Sequence, residues 1–335
     1  MLIAVTGGTG YVGAHCVRAL LVQGHRVRLL VAPDAVGAPV LERLAELGDL
    51  EVLVGDVREA ATIDALLKGC DAVLHGAGVV GTDSRRTQLM WEINAYATET
   101  VLTRAVEAAL DPVVLVSSYS ALFPPPDGVI GPDTPTAPGR SAYAQTKGYA
   151  DRFARGLQRR GAPVVITYPS SVVGPAFHTE PGVTERGWAP IVRAGVAPRL
   201  RGGMQMIDVR DVADVHAAVM TPGRGPRRYV CGGVLVAFDD MIDALERGRG
   251  RRITRIPVPQ SVFRGIGRLA DALSGVVTLG DGLSYEAAML LTAATPTDDS
   301  ATTTDLGIAW RSPTDAIVAS FSRDGVAENV GDPRL

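Results

Sequence analysis

Apolar residues fall in short unbroken runs along the first half of the chain, and each run is followed by a stretch with helical spacing. Met1 to Val5 reads as a buried strand, and Val17, Leu20 and Leu21 then mark one face of a helix over 14–23. The same reading predicts strands at 26–31, 51–54, 71–75, 112–117 and 163–167. Helices are expected between them at 41–47, 63–67, 90–110 and 142–160. Unbroken apolar strands alternating with helices predict a parallel sheet covered on both faces. Right-handed crossovers make such a sheet doubly wound, with ligands at the carboxyl ends of its strands.

After Tyr168 the rhythm changes, and Pro169, Gly174, Pro175, Pro181, Gly182 and Pro190 punctuate a less regular stretch. Strand patterns return at 204–208 and 228–230 around a helix at 212–220. An amphipathic segment follows at 262–273, read as a lid, and a helix near 285–293. We expect 1–168 to form the sheet domain, with 204–247 returning to it. Segments 169–203 and 248–320 are expected to form a smaller, mostly helical substrate lobe, and 321–335 a loose tail.

The chemistry starts between the first strand and the first helix, at Val5-Thr6-Gly7-Gly8-Thr9-Gly10-Tyr11-Val12-Gly13. Two glycine registers fit: Gly8, Gly10 and Gly13 spell G-x-G-x-x-G, and Gly7, Gly10 and Gly13 spell G-x-x-G-x-x-G. A helix N-terminus offers free N–H groups and partial positive charge, which suits a phosphate. Glycine permits the tight turn and the close approach of a pyrophosphate. Strand, glycine turn and helix together read as a dinucleotide site, where a plain βα turn would need none of this spacing.

Tyr143 and Lys147 open the 142–160 helix and share one face, since i and i+4 are neighbours there. An ammonium beside a phenol favours the phenolate and lowers its pKa toward neutrality, which suits a general acid or base. Ser117 and Ser118 follow the fifth strand, at the edge where ligand is expected. A serine there can hold a substrate oxygen, or simply cap a turn.

Composition narrows the classes. The 335 residues are 46% hydrophobic and 21% charged, and the net charge of −3 gives no attraction to nucleic acid or anionic lipid. The arginine run Arg247, Arg249, Arg251, Arg252 and Arg255 lacks interleaved aromatics and reads as a solvated turn. Cys16, Cys70 and Cys231 are scattered and are expected as free thiols in a reducing, cytoplasmic setting. The opening strand does not read as a signal peptide, no run approaches membrane-spanning length, and the five histidines show no metal-ligand spacing.

Taken together, these motifs resemble the extended short-chain dehydrogenase/reductases, the NAD-dependent epimerase/dehydratase superfamily, over residues 1–320. The resemblance rests on Thr6-Gly7-x-x-Gly10-x-x-Gly13, Asp56-Val57, His75-Gly76-Ala77-Gly78, Asn94, Val116-Ser117-Ser118 and Tyr143-x-x-x-Lys147. Tyr168 to Pro175, which would flank the nicotinamide and open the substrate lobe, and Ile207 to Ala213 extend it. It implies a Rossmann-type domain binding NAD(H) or NADP(H), a small-molecule substrate, and a homodimer formed through the helix bearing Tyr143. Tyr143 would exchange the proton, Lys147 would lower its pKa and bind the nicotinamide ribose, Ser118 would orient the substrate oxygen, and Asn94 would support the site. Gly7, Gly10, Tyr11, Val12, Gly13, Asp56, Val57, Ala77, Pro169 and Val172 would line the cofactor, while Asp208 and Asp211 would tie the two lobes together.

Two departures stand out. Ala32, with Asp34 slightly late, replaces the acidic or basic residue that marks cofactor choice, and Tyr168-Pro169 replaces Arg-Pro. The closest reaction types are the dihydroflavonol reductase-like and hydroxysteroid dehydrogenase-like reductases. Tyr119 and Ser120 stand where dehydratases carry an acidic pair. The apolar loop 120–126 with Phe177, Trp188, Met204, Met206, Phe263 and Leu269 suggests an apolar carbonyl or secondary alcohol as substrate. A sugar-nucleotide epimerase, and a non-catalytic dinucleotide sensor, are the alternative readings.

Overall fold

The computed structural model describes residues 1–81, 84–273 and 285–321. The first half runs β1 (Leu2–Thr6), α1 (Tyr11–Val22), β2 (Arg26–Val31), α2 (Pro39–Ala45), β3 (Leu50–Val54), α3 (Ala60–Leu67) and β4 (Ala72–His75). It continues through α4 (Thr87–Met90), a π-helical stretch Trp91–Ala97, α5 (Thr98–Glu107), β5 (Val113–Val116), α6 (Ala142–Arg159) and β6 (Val164–Pro169). Then come β7 (Ser171–Val173), α7 (Val183–Ala194), β8 (Val196–Arg199), β9 (Gly203–Asp208), α8 (Val209–Ala218), β10 (Arg227–Cys231) and β11 (Val234–Ala237). The chain closes with α9 (Phe238–Arg249), β12 (Thr254–Pro257), α10 (Gln260–Leu273), α11 (Tyr285–Ala293), α12 (Ser300–Leu306) and α13 (Pro313–Ala319).

Seven strands form one sheet in the order β10-β6-β5-β4-β1-β2-β3. Every pairing in it is parallel. The period of two along each strand sends alternate residues to opposite cores. Ile3, Val5, Leu29 and Val31 meet α1 and α8 through Val17, Leu20, Val212 and Val215. Ala4, Leu30 and Val73 meet α3, α5 and α6 through Ile63, Leu66, Leu102 and Ala154. Both faces are therefore buried, as the unbroken apolar strands require. Strand order reverses where β1 lies between β2 and β4, so the loops after β1 and β4 diverge and leave a crevice.

The remaining segments build a second layer around Trp188, Met206, Val236, Met241, Leu245 and Ile317. It holds two small sheets besides its helices, β11-β9-β7 and β12-β8, while β10 rejoins the main sheet. Its strands are only three to six residues long, so their alternation is faint in sequence, and α7 contains Pro190. The long helix expected at 90–110 is interrupted by the π-helical stretch and stops at Glu107. The first helix starts at Tyr11, three residues before its apolar face begins. Apart from Phe321, the expected tail lies outside the described residues.

A buried polar cluster fixes α6 on the sheet. Asp151 accepts from Tyr168 Oη at 2.6 Å and pairs with Arg155 at 2.9 Å, and it also accepts from Thr136 Oγ1. Arg155 in turn donates to Tyr168 Oη at 2.9 Å and to the Thr134 carbonyl at 2.9 Å. Asp151 and Tyr168 are wholly buried. Removing one member of a buried pair strands the other charge without water. Asp151→Ala should therefore cost about 3–5 kcal/mol in a urea titration. Tyr168→Phe, which leaves the ion pair intact, should cost less, about 1.5–3 kcal/mol. Equal costs would show that the ion pair does not anchor the helix.

Candidate active site

At the end of β1 the chain turns through Gly7, whose φ is +78°, into α1. A Cβ on Gly13 would stand 2.1 Å from the Gly7 carbonyl oxygen, so helix and turn approach as closely as backbones can. Gly10 caps α1 in an extended conformation, with no side-chain hydrogen bond and no acidic residue in the first turn. The N–H groups at Tyr11, Val12 and Gly13 therefore form the positive end of a helix with no carboxylate of its own beside them. These residues fit the diphosphate of a dinucleotide.

The turn is wired to the neighbouring strand through a buried line of hydrogen bonds. The Ala77 N–H donates to Thr6 Oγ1 at 3.1 Å, and Thr6 Oγ1 lies 2.8 Å from His75 Nδ1. His75 Nε2 lies 2.9 Å from Thr98 Oγ1, which donates to the Asn94 carbonyl at 2.9 Å. Thr98 spends its proton on Asn94, so the imidazole must carry its proton on Nε2 and accept from Thr6 on Nδ1. Burial, with the Lys147 charge adding to it, holds the His75 pKa down at about 3, which keeps this neutral tautomer.

Asn94 sits in the π-helical stretch, a geometry often found at functional sites. Its Oδ1 accepts from the Val79 N–H at 2.7 Å, and its amide donates to the Val79 carbonyl at 2.9 Å and to Thr146 Oγ1 at 3.3 Å. Thr146 donates to the Tyr143 carbonyl at 2.8 Å. Ser141 caps α6 by accepting from the Ala144 N–H at 3.1 Å, placing Tyr143 and Lys147 in its first two turns. Lys147 Nζ donates to the Val116 carbonyl at 3.1 Å and lies 6.0 Å from the centre of the Tyr143 ring. Burial lowers the ammonium to about 8.

Two residues beyond Val116, Ser118 Oγ accepts from Ser120 Oγ at 2.9 Å and from the Ser120 N–H at 3.2 Å. It therefore caps the short 3-10 turn Tyr119–Leu122, and both bonds leave its own proton to give. The Ser117 hydroxyl is buried with no hydrogen-bond partner.

The remaining expected cofactor residues occupy several elements. Asp56 is held by Arg58, which bonds its carboxylate at 2.5 Å and bridges to Glu92 at 2.8 Å; those hydrogen bonds hold the Asp56 carboxyl below its usual pKa. Val57 packs on the core beside it. Ala77 follows β4, Pro169 ends β6 and Val172 lies in β7. Asp208 clasps Arg210 at 2.6 Å, and Asp211 accepts from the Arg311 N–H at 2.7 Å, tying α8 to the segment before α13.

Two expectations change. Tyr168 does not line the site: strand alternation turns it toward Asp151 and Arg155 on α6. The apolar set assigned to a substrate pocket is mostly packing. Trp188 and Met206 are buried in the lobe core with Met204 and Phe263 against it, Phe177 packs on His15 and Arg18, and Leu269 is 60% exposed. Thr98, Thr146 and Val79 escaped sequence reading because nothing in their spacing marks a bond to a distant partner. Among the described residues no cluster of His, Cys, Asp and Glu could hold a metal, and no helix is long and apolar enough to cross a membrane.

A parallel sheet reversing at β1, a glycine turn without a side-chain cap and a tyrosine–lysine helix define a dinucleotide-binding fold of the extended short-chain dehydrogenase/reductase group. The model of the NAD dependent epimerase/dehydratase family matches residues 3–232, and the chain belongs to that family. It is 28% identical over 276 residues to sterol demethylase protein B of Methylococcus capsulatus, covering 82% of each chain. It is 29% identical over 267 residues to a putative dihydroflavonol 4-reductase of Synechocystis, covering 77% of this chain and 74% of that one. In fold it is similar to the crystal structure of gox2253, with a TM-score of 0.78 and 24% identity over 97% of this chain and 98% of that one. The cofactor is accordingly NAD(H) or NADP(H).

Lys147 gives this site its stability signature. A buried ammonium whose pKa falls from 10.5 to about 8 takes up its proton more readily unfolded than folded, so the folded protein carries a penalty at every pH below about 8. The penalty fades as pH rises from 8 to 10.5. Lys147→Met should therefore raise stability at pH 7 by something on the order of 1–3 kcal/mol, after the lost bond to Val116 is subtracted. The gain should shrink toward pH 10 in denaturant titrations, and a loss of stability at pH 7 would contradict the assignment.

Proposed function

We propose that the protein is an NAD(P)-dependent reductase that interconverts a carbonyl and a secondary alcohol on a small apolar substrate, with Tyr143 as general acid and base. The observation that carries this reading is the placement of Lys147 Nζ, bonded to the carbonyl two residues before Ser118 and 6.0 Å from the Tyr143 ring centre. Relatives named for a sterol and for dihydroflavonol support an apolar substrate. Tyr119, bonded to Ser171 at 3.2 Å, and Ser120, bonded to Ser118, leave no acidic pair for dehydration beside the serine.

A dinucleotide held at Gly7, Gly10 and Gly13 would supply or accept the hydride through its nicotinamide. The chain's own residues handle the oxygen. Ser118, with its acceptor capacity taken by Ser120, donates its proton to the substrate oxygen and fixes its position. Tyr143 gives its phenolic proton to the same oxygen as charge builds there. The Lys147 ammonium stabilises the phenolate left behind. Asn94 and Thr146 hold the first turn of α6 through the Tyr143 carbonyl. Exposed Tyr96, with Trp91 tilted against it on the same π-helical stretch and Tyr149 of α6 in edge contact, supports a homodimer through that face.

The acceptor end of β2 supports NAD(H) over NADP(H). No lysine, arginine or histidine occurs from Ala32 to Glu42, and exposed Asp34 opens a 3-10 turn there. A 2′-phosphate would meet a carboxylate with no cation supplied by this segment. We expect NADH to bind at least tenfold more tightly than NADPH in fluorescence titrations, about 1.4 kcal/mol. Across a panel of sterol and flavonoid ketones, Tyr143→Phe should keep NADH binding and lose about 10²–10⁴-fold in kcat. The wild-type rate of ketone reduction should fall as pH rises through about 8, where Lys147 loses its charge. A Tyr143→Phe enzyme with wild-type kcat would refute the assignment.

A further inference from the structure

Glu185 belongs to α7 in the second layer, yet its carboxylate ends at the first turn of the phosphate-binding helix. Glu185 Oε1 lies 3.1 Å from Tyr11 Oη and accepts from the Gly174 N–H at 3.0 Å. Tyr11 Oη also reaches the Gly174 carbonyl at 2.8 Å. A phenol has one proton, so the Gly174 carbonyl and a Glu185 carboxylate compete for it. The other carboxylate oxygen, Oε2, is buried with no hydrogen-bond partner. A Cβ on Gly182 would stand 2.5 Å from that oxygen and 2.7 Å from the Tyr11 ring, so glycine at the α7 cap is what lets the carboxylate in.

Burial and the orphaned Oε2 favour a neutral carboxyl, and they outweigh the Gly174 N–H and the Tyr11 hydroxyl, which favour the anion. A protonated Glu185 can donate to Tyr11 Oη, Tyr11 can then donate to Gly174, and no anion is left with an orphaned oxygen. The site lies one tyrosine side chain from the backbone N–H groups where the diphosphate charges belong.

We propose that Glu185 is the proton-linked partner of the dinucleotide: NAD(H) binds the form of the protein in which this carboxyl is protonated, and binding above neutrality draws one proton from solvent. This rests on the dinucleotide lying at the N-terminus of α1. Burial already holds the Glu185 pKa up at about 7, so the group changes state near neutrality. The charged groups around it do not cancel that effect. Arg186 on its own helix pulls the other way but donates its guanidinium to the Pro181 carbonyl. At the start of α8, Arg210 is clasped by Asp208. His15 on α1 is buried, donates to the Pro175 carbonyl and is held neutral by burial. Linkage then fixes the sign: if the dinucleotide favours the protonated form, its affinity falls as pH rises past the free protein's pKa.

NADH titrations followed by fluorescence between about pH 6 and 8.5 read this directly. Wild type should be flat below about pH 7 and then weaken, approaching about tenfold per pH unit. Calorimetry in buffers of different ionisation enthalpy should show uptake approaching one proton per NADH near pH 8. ADP-ribose should reproduce the dependence, and adenosine, which lacks the diphosphate, should not. Glu185→Gln should lose the weakening that sets in near pH 7 and the proton uptake that accompanies it. Wild-type affinity constant across the range, or an undiminished dependence in Glu185→Gln, would overturn the proposal. Absence of NADH binding at every pH would instead sink the dinucleotide reading, and this inference with it.

Discussion

A lysine ammonium enclosed by protein, with a main-chain carbonyl as its hydrogen-bond acceptor, sets the terms for the rest of this molecule. Lys147 can remain charged in that position only if the Val116 carbonyl stays within reach, at 3.1 Å. The start of α6 must therefore stay against the carboxyl end of β5. The structure secures this from two directions. Asp151, Arg155 and Tyr168 clamp the helix two turns further on, and Asn94 with Thr146 holds its opening turn. Desolvation then has a chemical consequence, because it brings the ammonium to about 8 while leaving it mostly protonated at neutral pH. A charge held at a fixed place beside Tyr143, in surroundings of low polarisability, acts more strongly on that phenol than an exposed lysine would.

The second organising feature is the line from Thr6 through His75 and Thr98 to Asn94. All four side chains are buried, and every hydrogen in the line has one consistent direction. It joins the glycine turn at the end of β1 to the π-helical stretch that carries Asn94. The two halves of the proposed site, the glycine turn after β1 and the first turn of α6, are thus parts of one rigid polar framework across the switch point of the sheet. The family match covers this whole framework, from residue 3 to residue 232.

How legible each part was in the sequence follows from the range of the interactions that form it. The parallel sheet could be read because its strands are buried on both faces and so appear as unbroken apolar runs. The glycine turn and the Tyr143–Lys147 pair could be read because their geometry is local, one turn and one helix step. The Thr6–His75–Thr98 line could not, since its members are 69 and 23 residues apart and each is an ordinary residue alone. Tyr168 was misplaced because strand alternation, not its neighbour Pro169, decides which way it points. The proposed apolar pocket residues failed for a related reason. Trp188 and Met206 fill the core of the second layer, and a sequence does not distinguish an apolar residue that packs from one that receives a ligand.

The most direct test of this account is the titration of Lys147 itself, followed by NMR of lysine labelled with ¹³C at Cε, with Lys147→Arg identifying its signal. The structure predicts that one of the two lysine signals titrates near 8, well below the ordinary 10.5. A Lys147 signal that titrates at 10.5 would mean an ammonium in water, free of Val116, and the arrangement described for Tyr143 would not stand.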